Sequence, residues 1–209
     1  MKYSLRLAAF LAVILGVPAL LPAALLYDVT IDTTPLAGIS GFMAFDLLGG
    51  SPLQNNVATI SGFMTTGTLG SASSSGAVSG NLTPGPLTLT ANQFFNEELQ
   101  AITFAAGLTT FKLNLTTNFA PGTTPDSFSF FLLNSSSVPF PTSDPAGSLF
   151  AIDLVGPDTS PNVFTSATAT ATVTVDAGGS TVPEPASWTL LSLALAGLVI
   201  LPKARLSLS

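Results

Sequence analysis

Residues 111–116 read Phe-Lys-Leu-Asn-Leu-Thr, apolar at every odd position and polar at every even one. Successive side chains leave opposite faces of an extended chain, so this alternation predicts a strand with one face in a core and the other in water. Residues 27–32, Tyr-Asp-Val-Thr-Ile-Asp, repeat the pattern. Working outward, further strand-like runs are 41–48, 57–67, 87–91, 99–105, 128–133, 149–155 and 163–175. Turn formers separate them: Gly49-Gly50-Ser51-Pro52, Pro84-Gly85-Pro86, Pro121-Gly122-Thr123-Thr124-Pro125 and Ser143-Asp144-Pro145-Ala146-Gly147. About nine short strands at this spacing predict an all-β fold, an antiparallel β-sandwich of jelly-roll type. The one helical period inside it, Gln93 to Gln100, predicts a single short helix.

Two stretches are less regular. Residues 67–86, rich in Ser and Gly, read as a mobile loop or a weak edge strand. In 166–175 small apolar residues alternate with Thr. Thr-rich tracts also form glycosylated stalks, but the alternation favours a final strand.

The ends of the chain have a different character. Charged residues make up only 8% of the 209 residues, against roughly 25% in ordinary soluble domains, and much of the apolar excess is terminal. At the N-terminus Lys2 and Arg6 precede an uncharged run from Leu7 to about Val17, followed by Pro18 and small residues. That order is expected of a secretory signal peptide, 1–24, entering the membrane as a short helix. At the other end, 187–201 is uncharged and would make a helix of roughly 22 Å, short for a hydrocarbon core of about 30 Å. Trp188 suits one interface, while Lys203 and Arg205 extend toward headgroups on the other. These three residues predict a stop-transfer transmembrane helix with a cytoplasmic tail. The domain 25–177 would then lie outside the cytoplasm, joined by a flexible linker at 178–182.

Pro183-Glu184-Pro185, the apolar run and the short basic end occur in that order at the C-terminus. This arrangement, 183–209, resembles the PEP-CTERM sorting signal of exopolysaccharide-producing Gram-negative bacteria. The resemblance implies export through the secretion translocon, removal of the leader by signal peptidase and transient residence in the inner membrane. It further implies cutting near the PEP motif by an exosortase-type membrane protease. The product would lie in the periplasm, on the outer surface or in the extracellular matrix, with exopolysaccharide as a possible associate. The basic cluster usual in that family is here one Lys and one Arg.

The delivered domain keeps Lys112 as its single base against ten acids, a charge of about −9. Without a basic footprint, nucleic acid is not an expected partner. The chain has no His and no Cys. Imidazole and thiolate catalysis, ordinary zinc sites and disulfides are therefore excluded. What remains is a carboxylate pair, as in glycosidases. Glu97 and Glu98 are adjacent, point apart on a strand or a helix, and read as solvating a surface turn. Asp46 and Asp153 stand inside apolar strands, each expected to alternate out to solvent. No catalytic role is expected of this domain. Asp126, Asp144, Asp153 and Asp158, with Asn162, lie in or beside loops and are candidate calcium ligands, although none has an EF-hand spacing. The sole Trp lies in the terminal segment and Tyr27 is the one Tyr of the domain, which weakly supports sugar stacking. The expected function is a structural or adhesive envelope or matrix protein, with a calcium-assisted carbohydrate-binding module as the alternative.

Overall fold

Strand alternation becomes two sheets in the computed structural model, which describes residues 24–156 and 159–175. The expected leader up to residue 23, the expected linker, the PEP motif and the terminal apolar run, with Trp188, Lys203 and Arg205, lie outside the described residues, as does Asp158. Twelve strands follow in chain order: β1 (Ala24–Asp32), β2 (Ser40–Leu48), β3 (Val57–Thr65), β4 (Thr68–Ser75), β5 (Val78–Gly80) and β6 (Leu87–Thr90). Then come β7 (Phe95–Thr103), β8 (Leu108–Thr116), β9 (Ser127–Asn134), β10 (Phe150–Asp153), β11 (Asn162–Val163) and β12 (Thr170–Val175). One sheet, here called A, has the order β12-β1-β8-β3-β6-β5; sheet B has the order β11-β10-β9-β2-β7-β4. Every pairing described is antiparallel. Among the described residues no helix is long and apolar enough to cross a membrane.

The alternation in 111–116 and 27–32 does what it predicts. Phe111, Leu113 and Leu115 of β8 and Tyr27, Val29 and Ile31 of β1 are buried. On the opposite side Lys112 pairs with Asp28 at 2.8 Å, both half exposed; such a pair contributes at most about 1 kcal/mol. Sheet B supplies Met43, Phe45, Leu47, Phe128, Phe130, Phe150 and Ile152 to the same core. Phenylalanines join the layers: Phe111 of sheet A lies 5.5 Å from Phe45 and 5.8 Å from Phe130 of sheet B, ring centre to ring centre. Phe130 stacks in turn on Phe150 at 5.5 Å. Two antiparallel sheets sharing one aromatic core make a β-sandwich.

Three expectations change. The run 57–67 breaks its period at Gly62, whose φ of +60° belongs to the left-handed region. The pairing of β3 with β8 shifts between Ser61 and Met64, so Phe63 turns in and Met64 is exposed. Of the two readings of 67–86 the edge strand holds, as β4 and β5 at the ends of the two sheets, whereas 163–175 divides into β11 and β12. Twelve strands thus replace the nine expected. The predicted helix at Gln93 to Gln100 is β7, paired with β2 at nine successive positions. Helical spacing in so short a segment is outweighed by a full ladder with a central strand and by burial of its alternate side chains. Among the described residues the one helical turn is a 3-10 turn, Thr34–Leu36, with Pro35 in its first positions.

Candidate functional site

Because 95–103 is a strand, Glu97 and Glu98 leave opposite faces of sheet B, and neither solvates a turn as expected. Glu98 points inward in the row of Asn96 and Gln100, all buried. Each of these polar groups has a partner. Ser74 Oγ donates to Glu98 at 2.5 Å, Asn96 Nδ2 donates to the Leu47 carbonyl at 2.9 Å, and Gln100 Nε2 donates to the Gly70 carbonyl at 2.9 Å. They join β7 to its neighbours.

Glu97 points outward and lies directly opposite Asp46 of β2, while Ser129 of β9 flanks Asp46 on its other side. Directly opposite residues hold their Cβ atoms about 5 Å apart, so the two carboxyls share one patch. The expectation that Asp46 alternates out to open solvent is corrected here: its Oδ1 is buried and makes no hydrogen bond. Residues 135–140 turn back alongside β9, fastened by a bridge between Leu133 and Pro139 and by Phe140 N–H donating to the Leu132 carbonyl at 2.9 Å. Asp46 and Glu97 sit in a depression of about 160 Å³ that Ala44, Phe131, Leu133 and Pro139 complete. Burial, and then the neighbouring Glu97 charge, push the Asp46 carboxyl up to about 7; burial raises Glu97 as well. The pair therefore holds a proton well above the usual carboxylate range.

This has a measurable consequence. Asp46 titrates near 3.8 when unfolded and near 7 when folded, so its contribution to stability is present below about pH 4 and is lost as pH rises to 7. Each unit is about 1.4 kcal/mol, so the full chain is expected to be less stable at pH 8 than at pH 4.5 by about 3 kcal/mol from this group. Asp46→Asn should flatten that slope and raise the melting temperature at pH 8 by several degrees. An unchanged pH profile in the variant would refute the assignment.

Among the described residues the calcium candidates are not gathered. Asp126, at the head of β9, is fully buried; it accepts from Gly50 N–H at 2.8 Å, Asn56 N–H at 3.2 Å and Asn56 Nδ2 at 3.0 Å. Asp144 accepts from Ala146 N–H and from Ser148 N–H and Oγ within its own turn, and these hydrogen bonds outweigh desolvation to lower its pKa. Asp153 and Asn162 are exposed on β10 and β11. No group of three or more acidic side chains placed to hold a metal ion is found among the described residues.

What the sequence did not signal is the polar knot around Asp126. Asn56 also donates to the Asn118 carbonyl at 2.8 Å and accepts from Thr116 Oγ1 and Asn118 N–H. Gln54 accepts from Asp126 N–H and donates to Thr123 Oγ1 and the Thr124 carbonyl. A Cβ on Gly50 would lie 2.2 Å from the Pro125 carbonyl oxygen, so only glycine lets the two loops touch there. Residues 49–56 and 117–126 are thereby locked together at one end of the sandwich. A motif of hydrogen bonds between loops seventy residues apart leaves no local pattern to find.

A second depression, about 290 Å³, lies between β2, β4 and β7 and is lined by Phe42, Leu69, Ala101, Ile102 and small polar residues without a charge. Comparison with protein-family models, with curated proteins and with solved structures finds no match to this chain.

Proposed function

We propose that this chain is an exported, non-catalytic envelope or matrix protein, sorted through its C-terminus and acting as a structural or adhesive component. The observation that carries the reading is the order of unlike elements at the chain end: Pro183-Glu184-Pro185, the uncharged run 187–201, then Lys203 and Arg205, behind a basic-then-apolar N-terminus. Positive charge behind an apolar segment resists translocation, so the domain before it would be left on the far side of the inner membrane. An exosortase-type protease would then release it near Glu184.

The domain supports a structural role by what its polar groups do. Asn56, Asp126, Asn96, Glu98 and Gln100 are occupied in hydrogen bonds that bind loops and strands together. A chain free of His and Cys offers no imidazole base or thiolate. We also infer a jelly roll as the finer architecture. β1 pairs with β8, β2 with β7 and β3 with β6, as in a long hairpin rolled so that successive strands exchange sheets. On this view β9 to β11 widen sheet B and β12 widens sheet A.

Cell fractionation combined with terminal mass measurement tests the proposal. The expected result is protein outside the cytoplasm whose C-terminus lies close to Glu184. Released protein that still ends at Ser209 would overturn the sorting mechanism.

A further inference from the structure

We propose that the free edge of β4 is a homotypic docking edge: a second copy of this chain adds its own β4 antiparallel across a two-fold axis and continues sheet B. The proposal deepens the structural reading above and rests on it for its biological meaning.

The sandwich has four outer strands. β5 has three residues and β11 two, which is the ordinary way a sheet blunts its edges. β12 has six residues, one of them buried. β4 has eight, and seven of these are exposed. Among the described residues it is hydrogen-bonded within sheet B to β7 alone, so every second residue turns its N–H and C=O away from the sheet. The guards that keep such edges apart, Lys, Pro and other charges, are missing from Thr68-Leu-Gly-Ser-Ala-Ser-Ser-Ser75. One guard is present, a bulge-like register shift between Leu69 and Ala72, which leaves 72–75 as the regular part of the edge, in unbroken register with β7.

Charge selects the occupant. The domain carries about −9, so two copies repel over most of their surfaces. At the β4 edge the strand is neutral, and the nearest acids, Glu97 and Glu98, lie one strand further in. Joining two β4 edges leaves those rows three strand spacings apart, about 14 Å, beyond the screening length of about 8 Å at physiological salt. A two-fold axis presents the same strand to itself, so the pairing is self-complementary and closes at a dimer. From Gly70 to Ser75 the side chains are those of Ser, Gly and Ala and offer no bulk to obstruct it. A single strand pair buries little area, which places the dimer among weak, concentration-dependent associations.

Sedimentation of the full chain in mild detergent over a range of concentrations tests this. A dimer is expected, with its dissociation constant raised at least about tenfold by Ser73→Lys on β4 and unchanged by Thr172→Lys on β12. The chain lacks cysteine, so single spin labels can be placed without background. A label at Ser71→Cys should report another copy within about 20 Å, a few strand spacings, whereas one at Ser160→Cys in a distant loop should not. A monomer at all concentrations, a dimer indifferent to Ser73→Lys, or one dissolved by Thr172→Lys would overturn the proposal. None of these outcomes alters where the protein is sorted or how its C-terminus is cut, so the two readings fail separately.

Discussion

Phe130→Ala is expected to destabilise the domain by about 3–5 kcal/mol, the usual cost of removing a buried phenylalanine from a core that cannot close over the gap. Phe130 is fully buried and sits among Phe45 at 5.0 Å, Phe150 at 5.5 Å and Phe111 at 5.8 Å. These rings come from β2, β10 and β8, so a void here loosens both sheets together. Phe131→Ala is the matched control. Its side chain leaves the opposite face of the same strand and is half-buried, and its loss should cost clearly less. Denaturant unfolding of the two variants checks the pair; equal losses would mean that the alternation of β9 does not divide core from surface.

Asp126→Ala is expected to cost about 3 kcal/mol or more, since it removes the acceptor of three donors at about 1–3 kcal/mol each: one is buried and left without a partner, one is part-buried, and the Asn56 amide keeps only its bond to the Asn118 carbonyl. Those donors are Gly50 N–H, Asn56 N–H and Asn56 Nδ2. Asp126→Asn should be little better, because its amide can turn only one oxygen toward the three donors and brings an NH₂ group to meet another. Thermal unfolding measures the losses, and amide exchange at Gly50 and Asn56 should rise in step with them. A loss under about 1 kcal/mol, within the range of ordinary surface substitutions, would mean that the loops 49–56 and 117–126 are held by something else. Together with Phe130, this site assigns the stability of the domain to two places, an aromatic centre and a polar latch at one end.

Strands were legible where one face meets a continuous core and the other meets water. In β1, β2, β8 and β9 the apolar period of two survives, because each side chain's surroundings follow from its parity alone. Reading failed where parity is reset or where the inward face is polar. Gly62 shifts the register of β3, which no composition rule places in advance. Asn96, Glu98 and Gln100 of β7 face inward near the β4 edge, where neighbouring backbone and Ser74 replace apolar contacts. A strand whose buried row is Asn, Glu and Gln carries no hydrophobic alternation, so its segment mimics a helix. The Ser-rich β4 is silent for a related reason: almost none of its side chains is buried, so its strand character resides in backbone pairing with β7.

By itself the amino-acid order determined the all-β class, most of the strands and the charge and functional-group inventory, because these depend on residue type and local period. It also carries the terminal pattern from which export is proposed. Tertiary structure alone decided that Asp46 shares a covered patch with Glu97, that Asp126 fastens two loops rather than standing free, and which strands end each sheet. Each of those facts depends on what another segment, tens of residues away, places against the group; a buried charge and an open edge are properties of neighbours, and neighbours are chosen by the fold.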